Sequence, residues 1–298
     1  MVKIIFRILL LFIIPISGSA QLLLNQEGEA FTDIPFFNRD MIFPKHIKTI
    51  EGKYSTKNSG EIIQESSDWF RYRFDEKGRL CESLDIRTIN NKKDTVLHQY
   101  KYDSLNQVRE HRKTENKGFT TVKKTYDSLH RLASEVTCRE VYSYQKNQVL
   151  QSTIVNTEYF QHVNHQNEKE LLRCNSEKLP YLNEIRTYNN LGYLSEKKNV
   201  FLISGEEFTT KYTYDEQGLL IAKTQNHAND VLADEEWNYR YDSFGNLIEI
   251  KCSKFGQLQK DLQIIFDTKT QLLGSTIVRN VQNNSLLILR FTKYTYYE

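Results

Sequence analysis

Apolar and polar residues alternate along this chain in short runs that end on an aromatic. Phe70/Tyr72/Phe74, Phe208/Thr210/Tyr212/Tyr214, Trp237/Tyr239/Tyr241 and Leu262/Ile264/Phe266 each recur at every second position. That is the period of a β-strand with one buried face. Arg71/Arg73, Lys211/Thr213 and Asn238/Arg240 fill the positions between, so the other face is wet. Trp69, Trp237 and the tyrosine ladder are expected in the core, where large aromatics of this kind are usually buried. The outgoing runs are less regular. Leu80/Leu84/Ile86 keeps the alternation, whereas Ile248/Ile250 is out of phase with Leu247. Bulges, or a twisted and partly two-sided sheet, account equally well for the slip.

Between incoming and outgoing runs the same short segment recurs: an aromatic, an Asp, three turn residues, one more, then an aliphatic. Phe74-Asp75-Glu-Lys-Gly78-Arg-Leu80, Tyr214-Asp215-Glu-Gln-Gly218-Leu-Leu220 and Tyr241-Asp242-Ser-Phe-Gly245-Asn-Leu247 are its clearest copies. The anchors are Phe74, Tyr102, Tyr126, Tyr144, His165, Tyr188, Tyr214, Tyr241 and Phe266, spaced by 18 to 28 residues. His165 heads a degenerate copy. The sixth residue after each anchor is aliphatic: Leu80, Val108, Leu132, Leu150, Leu171, Leu194, Leu220, Leu247 and Leu272. A period of this length predicts an array of hairpins. Asp75, Asp103, Asp127, Asp215, Asp242 and Asp267, with Asn189, can accept bonds from amides two residues on and so start a tight turn. Gly78, Gly192, Gly218 and Gly245 supply a left-handed residue without steric cost, and Asn106 and His130 substitute for them. Asp first and Gly fourth describes a type I turn closed by a bulge.

Three regions depart from the repeat. Residues 1–20 read as an export signal: Lys3 and Arg7, an apolar core from Ile8 to Ile16, then Ser17-Gly-Ser-Ala20 before a cut at Gln21. Residues 21–67 read as an irregular N-terminal cap, with Phe31–Phe37 and Met41–Pro44 covering the first exposed sheet edge and His46–Tyr54 forming a first strand. At the far end, Lys293-Tyr-Thr-Tyr-Tyr-Glu298 parallels Lys211-Tyr-Thr-Tyr-Asp-Glu216 and predicts one more incoming strand. Residues 68–298 form the repeat domain. The connections opposite the Asp turns vary in length and are polar.

Composition narrows the function classes. The 40 Lys and Arg stand against 38 Asp and Glu, and losing Lys3 and Arg7 balances them. A neutral chain without a basic block gives no case for nucleic acid. After signal cleavage no apolar run is long enough for a transmembrane helix. Hydrophobic residues are 39% and aromatics 12%, a balance that suits thin β structure. Cys81, Cys138, Cys174 and Cys252 are widely spaced, without a CxxC. Their offsets turn Cys138 to the face opposite the other three, which favours some free thiols.

The Tyr-Asp-x-x-Gly-x-Leu motif at Phe74, Tyr214 and Tyr241, with fair copies at Tyr102, Tyr126, Tyr188 and Phe266, resembles the YD repeat of the Rhs family. The resemblance covers residues 68–298. It implies hairpins that wind into a curved sheet, and a sugar-binding role of the kind attached to related sequences. The large toxin members enclose a cargo. This chain has too few repeats for that and lacks a toxin-like C-terminal extension. It looks like the short secreted YD-repeat proteins of Bacteroidota-type bacteria.

No catalytic constellation, cofactor fingerprint or metal cluster emerges. A lone Asp in each repeat is accounted for by its turn rather than by calcium. His162-x-x-His165 with Cys174 is the one transition-metal candidate, and residues three apart on a strand point to opposite faces. The expectation is an all-β protein of repeated antiparallel hairpins in a curled or spiralling sheet. It is exported to the periplasm or cell surface, is not an enzyme, and binds or scaffolds a cell-surface glycan or an envelope protein. An accessory or immunity component of a contact-dependent toxin system is the alternative.

Overall fold

The computed structural model describes residues 23–24, 29–30, 39–90, 92–115, 118–143, 145, 148–164, 168–227 and 234–298. Residues 1–20, the apolar segment 31–37 and the anchors Tyr144 and His165 lie outside the described residues. A two-residue pair, β1 (Leu23–Leu24) with β2 (Glu29–Ala30), and a single helical turn, α1 (Arg39–Ile42), come first. Then follow β3 (Ile47–Lys57), β4 (Gln64–Phe74), β5 (Leu80–Ile89), β6 (Lys92–Tyr102), β7 (Val108–Glu115), β8 (Gly118–Tyr126), β9 (Leu132–Ser143), β10 (Gln148–Asn164) and β11 (Glu168–Cys174). The remainder are β12 (Pro180–Tyr188), β13 (Leu194–Phe201), β14 (Glu207–Tyr214), β15 (Leu220–His227), β16 (Glu235–Tyr241), β17 (Leu247–Lys254), β18 (Gln257–Phe266), β19 (Leu273–Asn280) and β20 (Ser285–Tyr296).

Each strand from β3 onward pairs antiparallel with its sequence neighbours, and β20 pairs with β3 from Leu286↔Lys57 to Tyr296↔Ile47. The sheet is therefore a closed barrel of 18 strands, not the open curled or spiralling sheet the repeat suggests. The physical reason is the pair of edges a meander leaves. Each is a row of unsatisfied amides and carbonyls, and here they satisfy one another. The described part of the N-terminal segment, from Arg39 onward, consequently has no free β3 edge to cover. It caps the end of the barrel where the Asp turns lie. Met41 and Ile42 enter the core beside Ile47, Ile50 and Phe74, and Lys45 Nζ donates to the Thr270 and Gln271 carbonyls at 2.8 and 3.1 Å.

The turns follow one design. The Asp75 carboxylate accepts the Lys77 and Arg79 amides at 3.0 and 2.9 Å, the Asp75 amide bonds to the Arg79 carbonyl, and the Gly78 amide to the Asp75 carbonyl. Asp103, Asp127, Asn189, Asp215 and Asp242 repeat this set. Gly78, Gly192, Gly218 and Gly245 are left-handed, as are Asn106 and His130. Asp267 heads a turn one residue longer, so Phe266 pairs with Leu273 rather than Leu272. The same bonds recur at Asn175, with Lys178 left-handed, but on the opposite end of the barrel. The connection after β9 also falls on that opposite end, so the segment at Tyr144 is not equivalent to the Asp turns.

In every Asp turn joining described strands the register slips by one at the anchor, as between Arg73 and Phe74. The bulge resolves the irregular outgoing strands. Tyr241 pairs with Leu247 and Tyr239 with Ile250, so Ile250 rejoins the inner face. The same slip corrects the first repeat. Leu84 and Ile86 pair with Arg71 and Trp69, so all four lie on the outer face.

The tyrosines do more than pack. Tyr102, Tyr126, Tyr214, Tyr241 and Tyr294 each donate a hydroxyl hydrogen bond, 2.5 to 2.8 Å long, to the carbonyl of the aliphatic closing the previous hairpin: Leu80, Val108, Leu194, Leu220 and Leu273. Burial pushes Tyr102, Tyr214, Tyr241 and Tyr294 above the usual tyrosine range, which keeps the donor in place. On β10 the ring nitrogen of His162 meets the Leu132 carbonyl at 2.7 Å. His162 thus occupies the tyrosine's place, three residues before His165.

Candidate functional site

Two faces define what the wall can bind. On the outer face Arg71 and Arg73 pair with Glu82, Lys101 with Glu110, Arg240 with Glu249 and Lys293 with Glu51. The Lys101 and Arg240 side chains are 68% and 64% exposed. The inner face divides into two arcs. Strands β16–β20 with β3 and β4 contribute Tyr239, Ile264, Phe291, Ile50 and Phe70 to the buried core. Strands β5–β13 place charge on the same face. Arg87 bonds Asp85 and Tyr54, Lys124 meets Glu135 at 2.7 Å, and Glu184, 3% exposed, is held by Arg186 and Arg173. Eighteen strands about 4.8 Å apart and tilted ~40° make a ring roughly 35 Å across if round, too wide for side chains alone to fill. The charged arc is accordingly wet: Arg139, on the inner face, is 71% exposed.

Within this arc β6 and β7 bring three rings together. His98 Nδ1 and His111 Nε2 are 2.9 Å apart and share one proton, and Tyr100 lies 4.6 Å from His111 at 5° between planes. Burial, then His98, Lys124 and Lys113, lower His111 to about 4. Burial and Lys113 lower His98, against Asp85. The pair is neutral at physiological pH; one added proton makes a single cation that the neutral partner can still accept from, and protonating both rings would set two cations in contact.

A third feature has the shape of a ligand site. Where β16–β18 approach the Asp turns, an open cleft of about 440 Å³ is lined by Arg240, Phe244, Ile248, Gln263, Ile265 and Gln271. Each position follows from local structure. Ile248 is the residue skipped by the bulge after Leu247. Phe244 is the third residue after its anchor, at the exposed turn tip, and its amide is fixed to the Asp242 carboxylate at 2.8 Å. Asn246 bonds the same carboxylate through backbone and side chain. Phe244 is 67% exposed and Ile265 46%. Burial raises the Glu249 carboxyl, but the hydrogen bonds and charges of Arg240 and Lys251 outweigh it and hold it below its usual range. Arg240 is thereby anchored at the cleft wall by a carboxylate 3.1 Å away. The repeat drew attention to Asp242 and Gly245, whereas the exposed ring lining the cleft is the Phe between them. Lys77, Gln217 and Lys269 stand at the same offset in three copies, but Leu105, Leu129 and Leu191 in three others are apolar and exposed as well, so the repeat alone does not single Phe244 out.

The Asp and Gly residues of the turns form the frame, and only Asp242 borders the cleft. The outer-face position of Trp69 removes it from the core. Among the described residues no group of three or more His, Cys, Asp or Glu could hold a metal ion. His162 is committed to the Leu132 carbonyl, and His165 lies outside the described residues. All four cysteines are free thiols, with Cys138 and Cys174 buried. Among the described residues no helix is long and apolar enough to cross a membrane.

No family model matches the chain and no curated protein matches it. Among solved structures it is similar to a porin-like protein from Bacteroides uniformis ATCC 8492, at 10% identity and a TM-score of 0.39, covering 85% of this chain and 97% of that one. The TcdB2-TccC3-Cdc42 structure matches at 13% identity and a TM-score of 0.22, over 78% of this chain and 15% of that one. The LolA superfamily protein NE2245 from Nitrosomonas europaea matches at 8% identity and a TM-score of 0.23, over 87% and 90%. Scores this low carry no functional argument.

Proposed function

We propose that this chain is an exported, non-catalytic binding protein of the cell envelope, and that its ligand is a glycan held in the cleft between the β16–β17 and β18–β19 tips. The observation that carries the reading is Phe244, a large apolar ring presented to solvent on a rigid turn beside three planar polar side chains, Arg240, Gln263 and Gln271. A sugar ring offers exactly two kinds of surface: a C–H face that stacks on an aromatic, and a hydroxyl edge that needs fixed donors and acceptors. A volume of 440 Å³ falls in the usual range of small-ligand sites, roughly 300–1,000 Å³.

Export is supported by the leader pattern of residues 1–20. The charged outer wall supports an aqueous compartment rather than the bilayer itself. A lipid-facing band would have to bury the Lys and Arg side chains of that wall, at about 2–4 kcal/mol each near the midplane. The test is a glycan array followed by calorimetric titration of the best hit with the wild type and with Phe244→Ala. Binding that weakens by about tenfold in the variant, with unchanged circular dichroism, supports the reading. A silent array overturns it.

A further inference from the structure

The longest strand has an uncovered edge. β10 runs from Gln148 to Asn164, and β9 pairs with it from Gln148 to Tyr159. On its other side β11 reaches only from Tyr159 to Asn164. Among the described residues nothing pairs with the second edge of Gln148–Glu158. Gln148 to Asn156 are exposed without interruption, and Leu150, Ile154 and Val155 are each more than half exposed. Such an edge is a template for another strand, and proteins blunt it with charge, proline or bulges. Gln148-Val-Leu-Gln-Ser-Thr-Ile-Val-Asn156 contains no charge, no proline and no glycine. It has two bulges, at Leu150 and Val155, and between them Gln151–Ile154 stays in regular register against Val141–Cys138.

The sequence of this edge identifies its occupant. Read outward from Ser152, the sequence between the two bulges is self-complementary: Gln151 answers Thr153, and the bulged Leu150 answers Ile154. Antiparallel pairing with an identical strand about a twofold axis at Ser152 sets Ser152 opposite Ser152, Gln151 opposite Thr153 and the exposed Leu150 opposite the exposed Ile154, so that polar meets polar and apolar meets apolar across the strands. A foreign peptide would not require this symmetry. We propose that the β10 edge is a homodimer interface, in which two copies of the chain pair β10 to β10 antiparallel about Ser152. The contact is isologous, so each copy uses its edge once and the assembly stops at two. This goes beyond the glycan reading and does not depend on it, since the cleft is on β16–β18.

Sedimentation velocity of the exported chain from 1 to about 100 µM tests the proposal, in the concentration range where weak interfaces dissociate. The wild type is expected to dimerise, and hydrogen exchange of residues 148–157 to slow as concentration rises. Ser152→Lys places two cations across the axis and should weaken the dimer at least about fivefold, the factor that ~1 kcal/mol of like-charge repulsion gives. Ser152→Glu should do the same, and an equimolar mixture of the two variants should restore dimers. The site is exposed, so both variants retain the barrel, which circular dichroism checks. A wild type that stays monomeric throughout, or a Ser152→Lys chain that dimerises undiminished, overturns the proposal.

Discussion

At the scale of single residues, the four left-handed glycines of the Asp turns are not equivalent. Around Gly245, at φ +82, nothing lies within 4 Å of an added Cβ, whereas at Gly78, at φ +73, that atom would sit 2.8 Å from the Phe43 Cβ and 2.9 Å from the Phe43 amide. Gly245→Ala therefore carries only the cost of a left-handed alanine, about 1–2 kcal/mol. Gly78→Ala adds displacement of the cap, ~1 kcal/mol or more beyond that. Chemical denaturation of the two variants checks the order, and equal losses would show that the cap contributes nothing. The conformational demand on these residues was legible in the sequence, because Asp and Gly at fixed spacing have a local cause. Their neighbours were not. Phe43 lies 35 residues away along the chain, and no periodicity announces it. The same holds for Tyr241: the alternation marks it as buried, but its hydroxyl bond to Leu220 depends on strand stagger.

At the scale of the element, hairpins were legible and faces were not. The bulge at each anchor inserts one residue, and one residue inverts every side chain beyond it. That is how Leu84 and Ile86 came to the outside while Ser83, Asp85 and Arg87 lined the interior. Counting by twos from Leu80 misses this, whereas the phase slip at Ile248 and Ile250 betrayed it. The inner charge it creates has a pH signature. On β6 and β7, His111 titrates near 4 in the folded state and close to 6.5 when unfolded. The unfolded chain binds the extra proton first, so the folded state loses stability as pH falls from about 6.5 towards 4. Burial and Lys113 shift His98 the same way, and Asp85 opposes. Thermal unfolding at pH 7 and pH 4.5 should show a drop that is smaller in His111→Gln. An equal drop in the variant would assign the effect to other groups.

At the scale of the whole molecule, the final strand was legible as an incoming strand, but its partner was not. Pairing Leu286–Tyr296 with Ile47–Lys57 joins segments more than 200 residues apart, a fact local propensity cannot encode. It depends on strand number and tilt, which must match for a ring to close. Closure also brings residues 46 and 297 together, with the Tyr297 amide donating to the His46 carbonyl at 2.8 Å. A ring whose strands follow one another in order has no privileged beginning. A circular permutant that links residue 298 to residue 39 through a short flexible segment, and opens instead at the exposed Phe255–Gly256 tip, keeps every ladder of the barrel. It is expected to fold with a melting temperature within about 5 °C of the parent, as for changes confined to a surface tip. Failure to fold would mean that β3 must be made first. Success would make any hairpin tip of this barrel a place to attach a tag, a sensor or a second binding module.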